Sequence, residues 1–491
     1  TYILFSQDVF FSLYRSNMQA KLIHEKAERI RDVIRYIRRF KNALVIIYLD
    51  DTLLDNNNFM NHIKDICLIH ESGLKVILVP GAKKRINQIL EASNISWTIH
   101  NNCRITGPEA MPLIKMAAFD VSNQIMTSLA AEKKTSLIGN WVRARSKGVI
   151  DGFDYGTSGE IDKLQIESIK TILDNGFIPI FPCIGWSAAG KPYNISSIQL
   201  SQQIAIHLKA DKLFYMVSDA EISTDSFIIP ENIGTSSEGT VPAMNIEEVD
   251  EFIRTNKESV NSEGIQSNST EPSVVLNENS AIQSETLREC PVSRETIFTL
   301  LNLAKTACNE GVTRVHIING SIDGTVPCDI FSDLAASTVI YTNNYGKIRD
   351  MTRDDISEVI ALMQPFVNQG ILLQRTKEQL ENQFQDYIVY ELDGAIKACA
   401  SLVPYPDGQT EIAAVAVDRT CSNIGIGPKL IKFLVKRAQE RKSTGIFLLT
   451  TQTSDWFENL GFMPSEISTL PQQRKDKWTP ERGSKVLRYK L

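Results

Sequence analysis

Histidine is scarce and unevenly placed. The 491 residues carry six, His24, His62, His70, His100, His207 and His316, and none follows His316. Chemistry in the C-terminal part of the chain therefore has no imidazole to serve as base or metal ligand. Paired cysteines are missing too. The eight cysteines, Cys67, Cys103, Cys183, Cys290, Cys308, Cys328, Cys399 and Cys421, are scattered with no Cys-x-x-Cys spacing. That argues against a metal site and against a disulfide framework, and it fits a reducing, cytoplasmic setting. No apolar run approaches the ~20 residues that a bilayer-crossing helix needs, so no membrane span is expected. Positive charge is in deficit: 52 Lys and Arg against 58 Asp and Glu leave a formal net charge of −6. That balance argues against nucleic acid or a membrane surface as partner. The first residue is Thr1 rather than Met, which leaves open a targeting segment ahead of it.

What is present is globular: 43% hydrophobic and 22% charged residues, in a chain too long for one ordinary core. Residues 24–40 set Ile30, Val33, Ile34 and Ile37 on one helical face and basic residues on the other. This reads either as a solvated amphipathic helix or as one that packs on another subunit. From residue 42 onward the apolar runs LVIIYLD (44–50), KVILVPGAKK (75–84), FIPIFPCIG (177–185) and KLFYMVSDA (212–220) alternate with helical patterns, and TRVHIING (313–320) adds a last unit. The alternation predicts an α/β fold, a parallel-rich sheet between helix layers. Residues of about 255–285, rich in Ser, Asn, Glu and Gly and poor in aromatics, read as a flexible insertion. A second pattern starts at KIRDMTRDDISEVIALMQPF, with Thr352 as a helix N-cap. Two strands joined at Asp393-Gly394, a strand TEIAAVAVD (410–418) and a strand GIFLLTT (445–451) follow. We divide the chain into residues 1–345 and an α+β domain of residues 346–491.

Within the second domain, VAVDRTCSNIGIGPKLIKFLVKRA (415–438) runs from a strand through glycines into a helix. Bare amides ahead of a helix suit a phosphate. A plain turn without a ligand fits the same glycines. A dinucleotide fingerprint does not, because Leu430 stands where its third glycine belongs and hairpins precede the loop. Glu411 lies in the strand EIAAVAV, and alternation places it on one face with Ala413, Val415 and Val417. It is either a base in an apolar setting or an exposed strand-end glutamate.

The order hairpin, strand, x-x-Gly-x-Gly, helix, strand resembles the acetyl-coenzyme A loop of GNAT acetyltransferases, with Ser422 where that family has Arg or Gln. Together with GILLQRTKEQLE (370–381), LLTTQTSDWFENLGF (448–462), RKDKW (474–478) and RGSKVL (482–487), the chain resembles N-acetylglutamate synthases. These join an amino-acid kinase-like domain to a GNAT domain. The resemblance implies acetyl transfer from acetyl-CoA to the amine of L-glutamate by direct attack, the first step of arginine biosynthesis. It implies Glu411 as base and Thr450 as acid for the departing thiolate. The backbone at Val415, Ala416 and Val417 would pair with the pantetheine arm, and Ser422, Asn423, Ile424, Gly425, Ile426 and Gly427 would take the pyrophosphate. Arg375, Arg474, Arg482 and Ser484 would hold the glutamate carboxylates, for which bidentate guanidinium is suited. By themselves, Thr450 is equally a structural residue and the arginines equally a solvated basic tail. A GNAT enzyme for another amino acid, or a weakly catalytic amino-acid sensor, are the other readings.

The first domain departs from a working kinase. Asp50 and Asp51 of YLDDTLLD stand where the phosphate-binding glycine pair would be, and the second glycine cluster shrinks to Pro80-Gly81-Ala82. Two negative charges there oppose a phosphate. DGFDYGTSGEID (151–162) and KPYNISS (191–197) keep the family pattern. The resemblance implies a regulatory, kinase-dead domain that builds a homo-oligomer and in relatives binds arginine. In residues 316–338 the expected glycine turn is replaced by Leu334-Ala-Ala-Ser-Thr338, so arginine regulation is expected to be altered or absent.

Overall fold

LVIIYL has no polar group to offer solvent except a tyrosine hydroxyl, and in a computed structural model of the chain it forms β1 (Leu44–Leu49), buried along its whole length. The structure describes residues 40–100, 103–230, 233–236, 238–262, 292–331, 336–342, 346–392, 395–418 and 426–490, with scattered positions of a helix between 23 and 38. The flexible insertion expected at 255–285 falls largely outside these, as do Asp393-Gly394, Cys290 and Cys421. Of the apolar face expected on the first helix, Ile30, Val33 and Ile34 are exposed. The chain divides into two compact units, Thr1–Pro230 with Pro242–Thr342, and Glu231–Val241 with Asn343–Leu491.

In the first unit, β1 is joined by β2 (Lys75–Pro80), β3 (Ser136–Ile138), β4 (Ile178–Ile180), β5 (Lys212–Val217), β6 (Ala243–Asn245), β7 (Arg314–Asn319) and β8 (Ser337–Tyr341). They form one sheet in the order β6-β8-β7-β5-β1-β2-β4-β3. All neighbours pair in parallel except β7 with β8. Continuous apolar strands demand cover on both faces, and helices such as Phe59–Glu71 and Met111–Ala131 supply it from one side. After β1 the chain turns at Asp50, whose side chain accepts from Thr52 N at 3.0 Å and from the Tyr48 hydroxyl at 3.1 Å. Asp51 points the other way, into the protein, where it is 5% exposed. Its carboxylate accepts from Arg85 N at 3.0 Å, in the first turn of α1 (Lys83–Ala92), whose own N-cap residue, Ala82, has no side chain to offer. An internal carboxylate therefore satisfies the positive end of this helix. Burial pushes the Asp51 carboxyl above the usual range, against the pull of the helix amides.

The second unit is a single mixed sheet. Its strands are β9 (Gly346–Asp350), β10 (Tyr387–Leu392), β11 (Ala395–Pro404), β12 (Gln409–Val417), β13 (Gly445–Thr450), β14 (Phe462–Ser465) and β15 (Lys485–Tyr489). The order is β9-β10-β11-β12-β13-β15-β14. Helix α2 (Ile356–Asn368) packs on one face with Met351, Tyr387 and Val389, and α3 (Ile426–Glu440) on the other with Ile388, Leu402 and Ile446. The stretch 472–490 is not only a solvated basic tail: its last part is the strand β15, inserted between β13 and β14, with Val486 and Leu487 buried.

Where β9 ends, Thr352 and Asp355 form a reciprocal cap, Asp355 accepting from Thr352 N at 2.7 Å and from its hydroxyl at 2.8 Å. The Arg349 guanidinium adds a bidentate contact at 2.6 and 2.9 Å and holds the Asp355 carboxyl down at about 2. An unfolded aspartate titrates near ~3.9, so this contribution is present above that pH and is lost as pH falls through the folded value. Thermal melts of Asp355→Asn are expected to lie below those of the parent at neutral pH, with the gap narrowing under pH ~4 and closing near pH ~2. A gap that ignores pH would mean the carboxylate's charge is not what stabilises this corner.

Candidate active site

The site grows from the hairpin of β11 and β12. Its turn, Tyr405-Pro406-Asp407-Gly408, closes through Tyr405 N donating to Gln409 O at 2.8 Å, with Gly408 in the left-handed region at φ 85. Past the turn, β12 pairs regularly until Ala413 meets Ser401, and then slips: the next pair is Ala416 with Cys399. Three steps on β12 face two on β11, which is a β-bulge. Ala414 takes up the extra residue with a φ of 52, a conformation that costs a non-glycine residue ~1 kcal/mol.

The bulge corrects the expectation of simple alternation. Simple alternation puts Glu411 on one face with Ala413, Val415 and Val417, but the extra residue reverses the parity beyond it. Ile412, Val415 and Val417 pack with the α3 core, whereas Ala414 and Ala416 pack on the opposite side with Cys399 and Tyr387. Glu411 faces away from Ile412, on the side of its neighbour Phe447.

A second consequence is an opening in the sheet. β12 and β13 are parallel neighbours only from Gln409 with Gly445 to Ile412 with Leu448. Beyond that, β13 goes on pairing with β15 and β12 with β11. Among the described residues the edge of β12 at 413–417 has no strand partner on the β13 side, which leaves main-chain donors and acceptors for an extended ligand.

Glu411 stands at the foot of this opening, 6% exposed. The Tyr405 hydroxyl donates to its Oε2 at 2.7 Å, and Arg474 Nε lies 3.0 Å from both carboxylate oxygens. Arg474 comes from α4 (Gln472–Lys475), the short helix ahead of β15. The Tyr405 hydroxyl is pushed up, first by burial and then by the Glu411 charge, while Arg474 and Arg375 pull it back. The Arg375 guanidinium lies 5.7 Å over the Tyr387 ring. The structure thus gathers Glu411, Arg474 and Arg375 into one electrostatic group, and adds Tyr405, which sequence reasoning missed. The Pro-Asp-Gly turn signal, which fixes the hairpin register, could have found it.

The other expected residues lie around this group. Arg482 Nη2 donates to Ile371 O at 2.9 Å, tying the last strand's approach to the segment that leads to Arg375. Ser484 accepts from Trp478 Nε1 through its carbonyl at 3.2 Å, and it lines an open cavity of about 380 Å³ with Pro464, Glu466, Ile467 and Val486. Val486 belongs to the small cluster of Phe447 and Leu470 on which Tyr405 packs. Thr450 ends β13 and accepts from Thr453 N at 3.1 Å, with the two hydroxyl oxygens 2.9 Å apart. Ser422, Asn423, Ile424 and Gly425 lie outside the described residues. Helix α3 runs from Ile426, so Pro428 sits inside the first turn, where no amide is missed. Gly427 has a packing role: a Cβ on it would stand 2.9 Å from the Trp456 ring. Among the described residues no group of three or more His, Cys, Asp or Glu could hold a metal, and no helix is long and apolar enough to cross a membrane.

Comparison with known proteins matches residues 355–462 to the acetyltransferase (GNAT) family and residues 43–263 to the amino acid kinase family. An amino-acid acetyltransferase of Mannheimia succiniciproducens is 30% identical over 469 residues, covering 94% of this chain and 97% of that protein. The amino-acid acetyltransferase of Escherichia coli is 28% identical over 474 residues, 94% of this chain and 97% of its own. Two crystal structures of N-acetylglutamate synthase from Neisseria gonorrhoeae match 95% of this chain and 99% of theirs. The one with coenzyme A and N-acetyl-glutamate has a TM-score of 0.55 at 25% identity, and the one with coenzyme A and L-arginine 0.70 at 24%.

The contact at Gly427 is open to test. Gly427→Ala is expected to lower stability by ~1–2 kcal/mol through overpacking, and pairing it with Trp456→Phe should recover most of that loss. Strict additivity of the two changes in chemical denaturation would show that Trp456 is not what the glycine accommodates.

Proposed function

The chain belongs to the amino-acid acetyltransferase family, and from that premise we propose that it acetylates the α-amine of L-glutamate with acetyl-CoA, giving N-acetyl-L-glutamate and coenzyme A, the entry to arginine biosynthesis. The observation that carries the reading is Glu411, buried at the point where β12 and β13 part and bracketed by Tyr405 and Arg474. The neutral amine attacks the thioester carbonyl and passes its proton to Glu411. The new N–C bond forms, the C–S bond breaks, and the thiolate leaves with a proton from Thr450, which regains one from solvent. In this reading the pantetheine arm adds to the free β12 edge at Val415, Ala416 and Val417, and the loop at 422–427 takes the pyrophosphate at the α3 N-terminus. Arg375, Arg482 and Ser484 hold the acceptor's carboxylates alongside Arg474, which suits a dicarboxylate better than a neutral amino acid.

We read the first unit as a regulatory and oligomerising module that does no phosphoryl transfer. The Asp51 carboxylate already satisfies the helix terminus that a kinase would turn to phosphate. In its 316–338 segment the described residues His316, Ala336 and Ser337 gather on the carboxylate of Asp329. His316 Nδ1 lies 2.9 Å from Asp329 Oδ2, the Ser337 hydroxyl donates to the same oxygen, and Ala336 N donates to Oδ1 at 3.0 Å. Burial brings the His316 imidazole down to about 4, so it is neutral at physiological pH. A carboxylate so occupied supports the expectation that arginine regulation is altered.

Two measurements test these readings. In a thiol-release assay over a panel of amino acids, L-glutamate should be the preferred acceptor, and Glu411→Gln should lose ~100-fold or more in kcat. Preference for another amino acid sinks the acceptor assignment, and an unchanged kcat removes Glu411 as base. Calorimetry with ATP should give no binding heat, and arginine should alter turnover by less than about twofold, within RT of no coupling.

A further inference from the structure

Arg474 uses only one of its three nitrogens on Glu411. Nε is shared evenly between the two carboxylate oxygens, at 3.0 Å from each. Nη1 and Nη2 make no hydrogen bond among the described residues, and the side chain keeps 16% of its surface in solvent while that of Glu411 keeps 8%. A guanidinium is a planar fork with donors on more than one edge, so a second carboxylate can dock on the outer edge without displacing the first. Among the described residues the other donor to Glu411 is the Tyr405 hydroxyl, from the hairpin turn, with Arg375 as the further cation acting on that hydroxyl.

We propose that Arg474 is a positioning residue shared between Glu411 and the α-carboxylate of the incoming amino acid, so that the acceptor's own carboxylate fixes its amine against the base that will deprotonate it. The inference rests on Glu411 being the base, and it holds for any amino-acid acceptor. Nε anchors the guanidinium to Glu411, while Nη1 and Nη2 stay open for a second carboxylate. An acceptor whose amine reaches Glu411 carries its α-carboxylate one carbon away. Docking it on the open edge closes a ring of contacts: amine to Glu411, Glu411 to Nε, and Nη to the α-carboxylate. The amine is then held at the base in the geometry that proton transfer needs. The carboxylate shared by all amino acids thereby acts on kcat as well as on binding.

The test compares the amino acid that the full-length enzyme acetylates best with its α-carboxamide, at a pH on the plateau of both rate profiles. Parent, Arg474→Gln and Arg474→Lys are assayed by thiol release, and acceptor binding is read separately by calorimetry in the presence of coenzyme A. For the parent, the carboxamide should lower kcat by ~10-fold or more beyond its effect on binding, and in Arg474→Gln this kcat ratio should shrink to within about twofold. Arg474→Lys, a point charge unable to serve two edges at once, should restore binding more than kcat. The inference is overturned if the parent shows no kcat difference between acid and amide. It is overturned equally if Arg474→Gln raises KM with the kcat ratio preserved, which is a simple substrate grip, or lowers kcat alike for both acceptors, which is a structural role. A parent that prefers an amino acid other than glutamate would correct the acceptor assignment while leaving these ratios to decide the role of Arg474. Loss of turnover in Glu411→Gln to no greater extent than in Arg474→Gln would remove the base reading itself.

Discussion

The parting of β12 from β13 depends on a single extra residue, Ala414, and the catalytic unit is arranged around that parting. A regular β12 would carry Ile412, Ala414 and Ala416 on one face and run its ladder on toward the end of β13. With the bulge, the strand turns its edge outward after Ile412, and the face that carries Glu411 continues in small alanines rather than valines. Bulges increase local twist and re-aim side chains. Here the same distortion leaves main-chain groups without a strand partner and the floor beside them low.

The polar group beside the opening is expensive to assemble and hard to dismantle. Glu411 and Arg474 are both largely withdrawn from water, and a buried pair of this kind gains little over apolar packing while costing ~3–5 kcal/mol when only one partner is removed. Stability alone therefore does not explain an ion pair at this place in β12. Tyr405 belongs to the same balance, since its hydroxyl meets the carboxylate from the turn and fixes the orientation of Oε2. No histidine follows His316, so the orientation of Glu411 is set by other donors, and these are the ones the fold supplies.

Local pattern made much of this legible. The apolar runs at 44–50, 75–84 and 212–220 became β1, β2 and β5 because a strand buried on both faces leaves no choice of side chain, and Thr352 capped its helix because the Asp three residues on completes the reciprocal bonds. What stayed hidden depends on contacts distant in sequence. No local signal in EIAAVAV announces a bulge, which is defined only against Cys399 and Ser401 on the neighbouring strand. Arg474 reads as one cation in a basic stretch until the chain folds it onto Glu411, 63 residues earlier. β15 lies in that same stretch and is recognisable only by its place between β13 and β14. Gly427 carries two meanings in sequence, closeness to a phosphate and closeness to a ring, and the Trp456 contact adds the second without bearing on the first.

Asp51 decides how one corner of the first unit answers to its surroundings. A helix end that takes its partner from a bound anion is steadied in proportion to that anion's concentration. An aspartate supplied by the chain makes the partner permanent and concentration-free. The fold around α1 therefore depends on no ligand at this corner, and replacing Asp51 by glycine would leave an uncapped, partly buried helix end with nothing to offset it.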